Sequence, residues 1–125
     1  MPKILLIDRD ISQGNAMATA IRKSPLEVAV VHSVEEAAAI VRREPFDLVF
    51  LDVVAEKDPQ AAVQTVRQAA DAAMQKRVPL VVVAKSFSES AFLLDTAAVD
   101  VLLEIPVHTD QLHQIIEQFV GCKLK

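Results

Sequence analysis

The chain holds one cysteine, two glycines and five phenylalanines, with neither tryptophan nor tyrosine, and each shortage removes a class of explanation. A lone cysteine, Cys122, cannot close an intrachain disulfide, so the fold must rest on its apolar core. Two glycines are too few for the loops in which backbone amides approach a phosphate closely, and neither a GxGxxG nor a Walker pattern occurs, which argues against a nucleotide or flavin enzyme. Without Trp or Tyr there is little on which bases could stack. The 13 Lys and Arg are scattered and outweighed by 17 Asp and Glu, so no basic stripe exists to neutralise nucleic-acid phosphates. No run approaches the roughly 20 apolar residues of a membrane span, and the apolar stretch after Met1-Pro2-Lys3 is too short for a signal-peptide core. A cytoplasmic protein with no membrane attachment and no direct nucleic-acid contact is expected.

What the chain does have is hydrophobicity, 52% of 125 residues, enough for the core of one domain spanning residues 1–125. Lys3 to Asp8 (KILLID), Phe46 to Asp52 (FDLVFLD) and Pro79 to Ala84 (PLVVVA) are near-continuous apolar runs, as strands buried on both faces require. Glu27 to Val31 and Val99 to Leu103 are weaker strands. Helices fall between them. One runs from about Ile11 to Ser24, before Pro25. Ser33 with Glu36 forms a capping box, and Asp58 precedes a proline at the first helical position. Ser86 with Glu89 and Thr109 mark two further starts, and Gly121 a stop. Strand and helix alternate five times, which predicts an α/β fold, a doubly wound (βα)5 parallel sheet with helices on both faces.

In such a sheet ligands meet the carboxyl ends of the strands. Asp8, Arg9 and Asp10 lie there, as do Asp52, Ala84, Lys85 and Glu104 to Pro106. Asp8 and Asp52 either converge on one pocket or merely cap the segments that follow them.

ILLIDRD, DLVFLD, PLVVVA and the Ile-Pro after the fifth strand, in that order and spacing, resemble response-regulator receiver domains over essentially the whole chain. The resemblance implies the flavodoxin-like strand order 2-1-3-4-5. It also implies that Asp52 is the aspartate phosphorylated by a histidine kinase, that Asp8 belongs to an acid pocket holding magnesium, and that Pro106 is a cis-proline. The departures from the family mark an atypical member or pseudo-receiver. The second acid is Arg9. The hydroxyl at the end of the fourth strand is replaced by Ala84, the fifth-strand aromatic by Leu102, and the lysine before the proline by Ile105. The loop after Asp52 lacks its usual glycines.

Magnesium prefers oxygen ligands, and phosphoryl transfer relies on it to neutralise developing charge. Weak magnesium binding is therefore expected, through Asp8, Asp52 and the Val54 carbonyl. Two arrangements of Arg9 are open. Its guanidinium replaces the metal by pairing with Asp52 or Asp8, or it faces solvent while Asp10 supplies the missing acid. Without the hydroxyl and the aromatic, a phosphate has no switch to bias.

The expected function is thus a phosphorylation-independent protein-interaction module of a two-component system, not an enzyme. The alternative is a conventional receiver phosphorylated on Asp52. A histidine kinase or an output domain is the expected partner. A homodimer through the fourth helix, fifth strand and fifth helix is a further expectation, drawn from Phe87, Ala91, Phe92, Leu93 and Leu94. His32, His108 and His113 lack the spacing of a metal site.

Overall fold

A computed structural model describes residues 2–22, 26–86 and 96–121. Five strands, β1 (Lys3–Ile7), β2 (Glu27–Val31), β3 (Leu48–Asp52), β4 (Leu80–Ala84) and β5 (Val101–Glu104), form one parallel sheet in the order β2-β1-β3-β4-β5. This is the flavodoxin-like order expected. Among the described residues four helices flank it, α1 (Ile11–Ile21), α2 (Val34–Val41), α3 (Pro59–Met74) and α4 (Thr109–Val120), and a short 3-10 turn, Thr96–Ala98, precedes β5. The helix expected after Ser86, with Phe87 and the apolar residues 91–94, lies outside the described residues.

Side chains alternate across the sheet, and each face has its own core. Leu5, Ile7, Val49, Leu51, Val82 and Ala84 pack with Val34, Ala37, Val41, Val63, Val66 and Ala70 of α2 and α3. Ile4, Leu6, Leu48, Phe50, Val81 and Val83 point the other way, onto Ala18 and Ile21 of α1 and onto Leu112, Ile115 and Ile116 of α4. Burying each such Leu or Ile is worth about 1.5–3 kcal/mol, which is why the central strands tolerate almost no polar residue before their last position.

Local chemistry sets the ends. Asp10, Ser33 and Asp58 cap α1, α2 and α3 by accepting from the amides of Gln13, Glu36 and Ala61. α2 stops at Val41, short of the expected RRE extension, because Arg43 and Glu44 both turn their amides onto the Ile40 carbonyl. Thr109 is the first residue of α4 and not its cap. His108 takes the cap position, with its amide donating to Gln111 Oε1 at 2.9 Å. β5 starts at Val101, later than the expected Val99, since the Asp100 amide is drawn to the Leu80 carbonyl at 2.9 Å and its carboxylate to Arg67. No helix among the described residues is long and apolar enough to cross a membrane.

Candidate functional site

β1 and β3 are hydrogen-bonded neighbours in the register Ile7↔Leu51, so the residues that follow, Asp8 and Asp52, come together at the carboxyl ends. Both are buried, at 3% and 5% exposure, in a chain whose only other buried polar residue among those described is Arg67. Asp52 accepts through Oδ1 from the Val54 amide at 2.8 Å and through Oδ2 from Gln13 Nε2 at 3.0 Å. Asp8 accepts through Oδ1 from the Asp10 amide at 2.9 Å, while its Oδ2 is buried with no hydrogen-bond donor. The ring Nδ1 of His32 lies 2.9 Å from the Asp8 carbonyl oxygen.

The two buried carboxyls interact electrostatically at the adjacent ends of β1 and β3. Burial, and then the neighbouring Asp8 charge, push Asp52 up to about 7 against the pull of the Val54 amide. Burial likewise raises Asp8. Two like charges in a poorly solvated pocket cannot both ionise freely, so the pair holds a proton well above the usual carboxylate range.

Arg9 pairs with neither Asp8 nor Asp52. Its Nε donates to Glu56 Oε2 at 2.6 Å, and its terminal nitrogen lies 3.9 Å from Glu35 Oε2, so the guanidinium ties the β3–α3 loop and the start of α2 and leaves Asp8 and Asp52 unpaired. Arg9 is part exposed and the Glu56 side chain is buried in the loop after β3, whereas both aspartates are buried at the strand ends. Asp10 accepts through Oδ1 from the Gln13 amide as the cap of α1, and its charge still acts on Asp8 and Asp52.

The remaining positions are apolar. Ala84 is buried in the α2–α3 core, and Leu102 packs at the edge of that core. Ile105 packs on the opposite core, where its amide donates to the Ala84 carbonyl, and the Ile105–Pro106 peptide is cis. Val54 is 41% exposed in the loop after β3. Lys85 is exposed. His113 bonds the Ala20 carbonyl across the α1–α4 contact, far in sequence from the acids.

Two residues of the site escaped the sequence reading. Gln13 stands three residues after Asp10, an Asp-x-x-Gln pattern related to the capping box, and that pattern could have drawn attention to it. Glu56 carries no local signal. Gly14 explains how Gln13 comes so near. A Cβ there would stand 3.2 Å from the Asp8 Cβ, so only glycine lets the first turn of α1 lie against the end of β1 without displacement.

Magnesium is the cofactor implied by the resemblance to receiver domains. The donorless Asp8 Oδ2 beside a second carboxylate is oxygen chemistry suited to a hard cation. The fit extends to two carboxylates, with water needed to complete the shell, since no group of three or more His, Cys, Asp or Glu converges among the described residues.

No family model matches the chain. It is 32% identical over 118 residues to the transcriptional regulatory protein ZraR of Salmonella typhimurium and 33% identical over 118 residues to that of Escherichia coli strain K12, matches that cover 92% of this chain and 25% of each relative. The chain thus spans about a quarter of the length of the curated relatives it matches. Solved structures with the same fold include a two-component response regulator from Clostridium difficile (TM-score 0.81, 18% identity, 97% of both chains covered). A response regulator receiver domain protein from Methanospirillum hungatei aligns with a TM-score of 0.76 and 21% identity, over 97% of this chain and 95% of that one.

Proposed function

We propose that the chain is a receiver-like domain that acts in the cytoplasm mainly as a phosphorylation-independent protein-interaction module of a two-component system. The observation that carries this reading is the charge balance around Asp52. Its carboxylate is opposed by the acids Asp8 and Asp10, and among the described residues no Lys or Arg forms an ion pair with it. A carboxyl raised to about 7 is partly protonated near neutral pH, and a protonated oxygen is a poor nucleophile. Phosphoryl transfer spreads negative charge over three equatorial oxygens, which cations must neutralise. Arg9 is engaged by Glu56, and Ile105 supplies a hydrocarbon before Pro106. With Ala84 and Leu102 both apolar and packed in the α2–α3 core, no hydroxyl or aromatic ring stands at the positions that would report a phosphate. Protein contact is then the activity left to the domain, with a kinase or an output domain as the class of partner.

A conventional receiver phosphorylated on Asp52 is favoured by one observation, the donorless Asp8 Oδ2. A divalent cation held there by Asp8 and Asp52 would supply the charge neutralisation that the side chains lack. The two readings separate in one experiment. The domain is incubated with magnesium and acetyl phosphate and weighed intact beside Asp52→Asn. The expected result is no mass increase in either protein. A phosphate adduct of about 80 Da in the wild type alone would establish the conventional reading.

A further inference from the structure

We propose that Arg9 and Glu56 form a latch that holds the β3–α3 loop on Asp52, with Gln13 completing it from α1. It rests on the silent pocket described above and names what keeps that pocket closed. Both Asp52 oxygens are already engaged: Oδ1 by the Val54 amide of the loop and Oδ2 by the Gln13 carboxamide. The loop residue Glu56 folds back through its own amide onto the Val53 carbonyl, so its side chain and the Val54 amide belong to one turn.

That side chain is only 7% exposed, and its Oε2 meets Arg9 Nε at 2.6 Å. Such an acid can stay beneath the surface only while a cation faces it. Arg9 is that cation, and it comes from the loop after β1, across the mouth of the acid pair. An acid at residue 9 would repel Glu56 and release the turn. The substitution of arginine for an acid thus does more than remove a carboxylate. It pins the turn whose Val54 amide occupies Asp52 Oδ1. Arg9 and Glu56 are positioning residues in this scheme, since neither touches Asp52 itself.

The test is amide hydrogen exchange on the 125-residue chain, read by NMR. Arg9→Ala strands the Glu56 carboxylate, and exchange at Val54 to Lys57 is expected to rise about tenfold while β3 and α3 are unchanged. Glu56→Gln added to Arg9→Ala removes the stranded charge and should return most of that protection. A merely local packing loss would show no such rescue. Unchanged exchange in the loop, or a uniform rise across β3 and α3, would overturn the latch.

A second variant, Arg9→Ala with Gln13→Ala, frees the loop and the Asp52 oxygen together without adding a carboxylate that could itself ligate the ion. Magnesium chloride alone should then shift the Val54 amide at an ion concentration at least about tenfold lower than in the wild type. Equal response of the two proteins would overturn the proposal. A phosphate adduct on the wild type would sink the silent-pocket reading, whereas the exchange and magnesium ratios decide the latch by themselves.

Discussion

The two ends of the sheet bury charge in opposite ways. At the amino ends of β4 and β5, Arg67 is 8% exposed and every direction is answered. Its guanidinium donates to the carbonyls of Ala98 and Val78 and to the carboxylates of Asp71 and Asp100. Arg77 adds a second cation to Asp100. Against its partial desolvation, the Leu80 amide and Arg67 hold the Asp100 carboxyl below the usual range. At the carboxyl ends of β1 and β3, two aspartates of similar burial face each other, and one oxygen has no donor. The first arrangement serves stability, because a buried charge with all its partners ties α3 to the turn before β5. The second costs stability, and a buried group that costs stability without structural return is where function is expected.

If that contrast holds, removing charge should have opposite signs at the two ends. Arg67→Ala strips Asp71 of its cation and leaves Asp100 with the exposed Arg77 alone, and is expected to cost about 3–5 kcal/mol in urea unfolding, the largest effect of these changes. Asp52→Asn should instead stabilise by about 2 kcal/mol at pH 8, a value below the full shift because part of that shift belongs to the pair with Asp8. The pH dependence has a definite sign. Asp52 is raised from 3.8 to about 7 on folding, so its contribution is fully present below pH 3.8 and is lost as pH rises through 7. Unfolding of the wild type between pH 5 and 8 should show that decline, and Asp52→Asn should flatten it. A wild-type curve that rises with pH over this range would break the comparison.

Smaller changes sharpen it. Asp58 caps α3 at the rim of the acid end, where its carboxylate is exposed and satisfied by the Ala61 amide at 3.1 Å. Asp58→Ala should therefore destabilise, by about 1 kcal/mol, in contrast to Asp52→Asn on the same loop. Glu35→Ala should leave the urea midpoint unchanged, because its oxygen lies 3.9 Å from Arg9 and is 80% exposed.

Much of the architecture was legible because its signals are local. Apolar runs such as LVFLD and LVVVA can only be strands buried on both faces, and Asp10, Ser33 and Asp58 announce helices through their own carboxyl or hydroxyl groups. Boundaries slipped where tertiary bonds intervened, as at Asp100, whose carboxylate is claimed by Arg67 across 33 residues. In the site, Asp8 and Asp52 were readable as strand-ending acids, and the missing hydroxyl, aromatic and lysine as Ala84, Leu102 and Ile105.

Linear signals sufficed for the alternating α/β plan, the pair of acids at the strand ends, and the apolar residues Ala84, Leu102 and Ile105 near them. Only the tertiary structure decided the partners. Arg9 had an acid on either side of it in the chain, yet pairs with Glu56 across 47 residues, and Gln13 reaches Asp52 across 39. Strand and cap signals survive in a linear reading because backbone geometry fixes them within a few residues. A long side chain on a loop chooses among several acids by distance and desolvation, and those exist only once the sheet has brought the loops together.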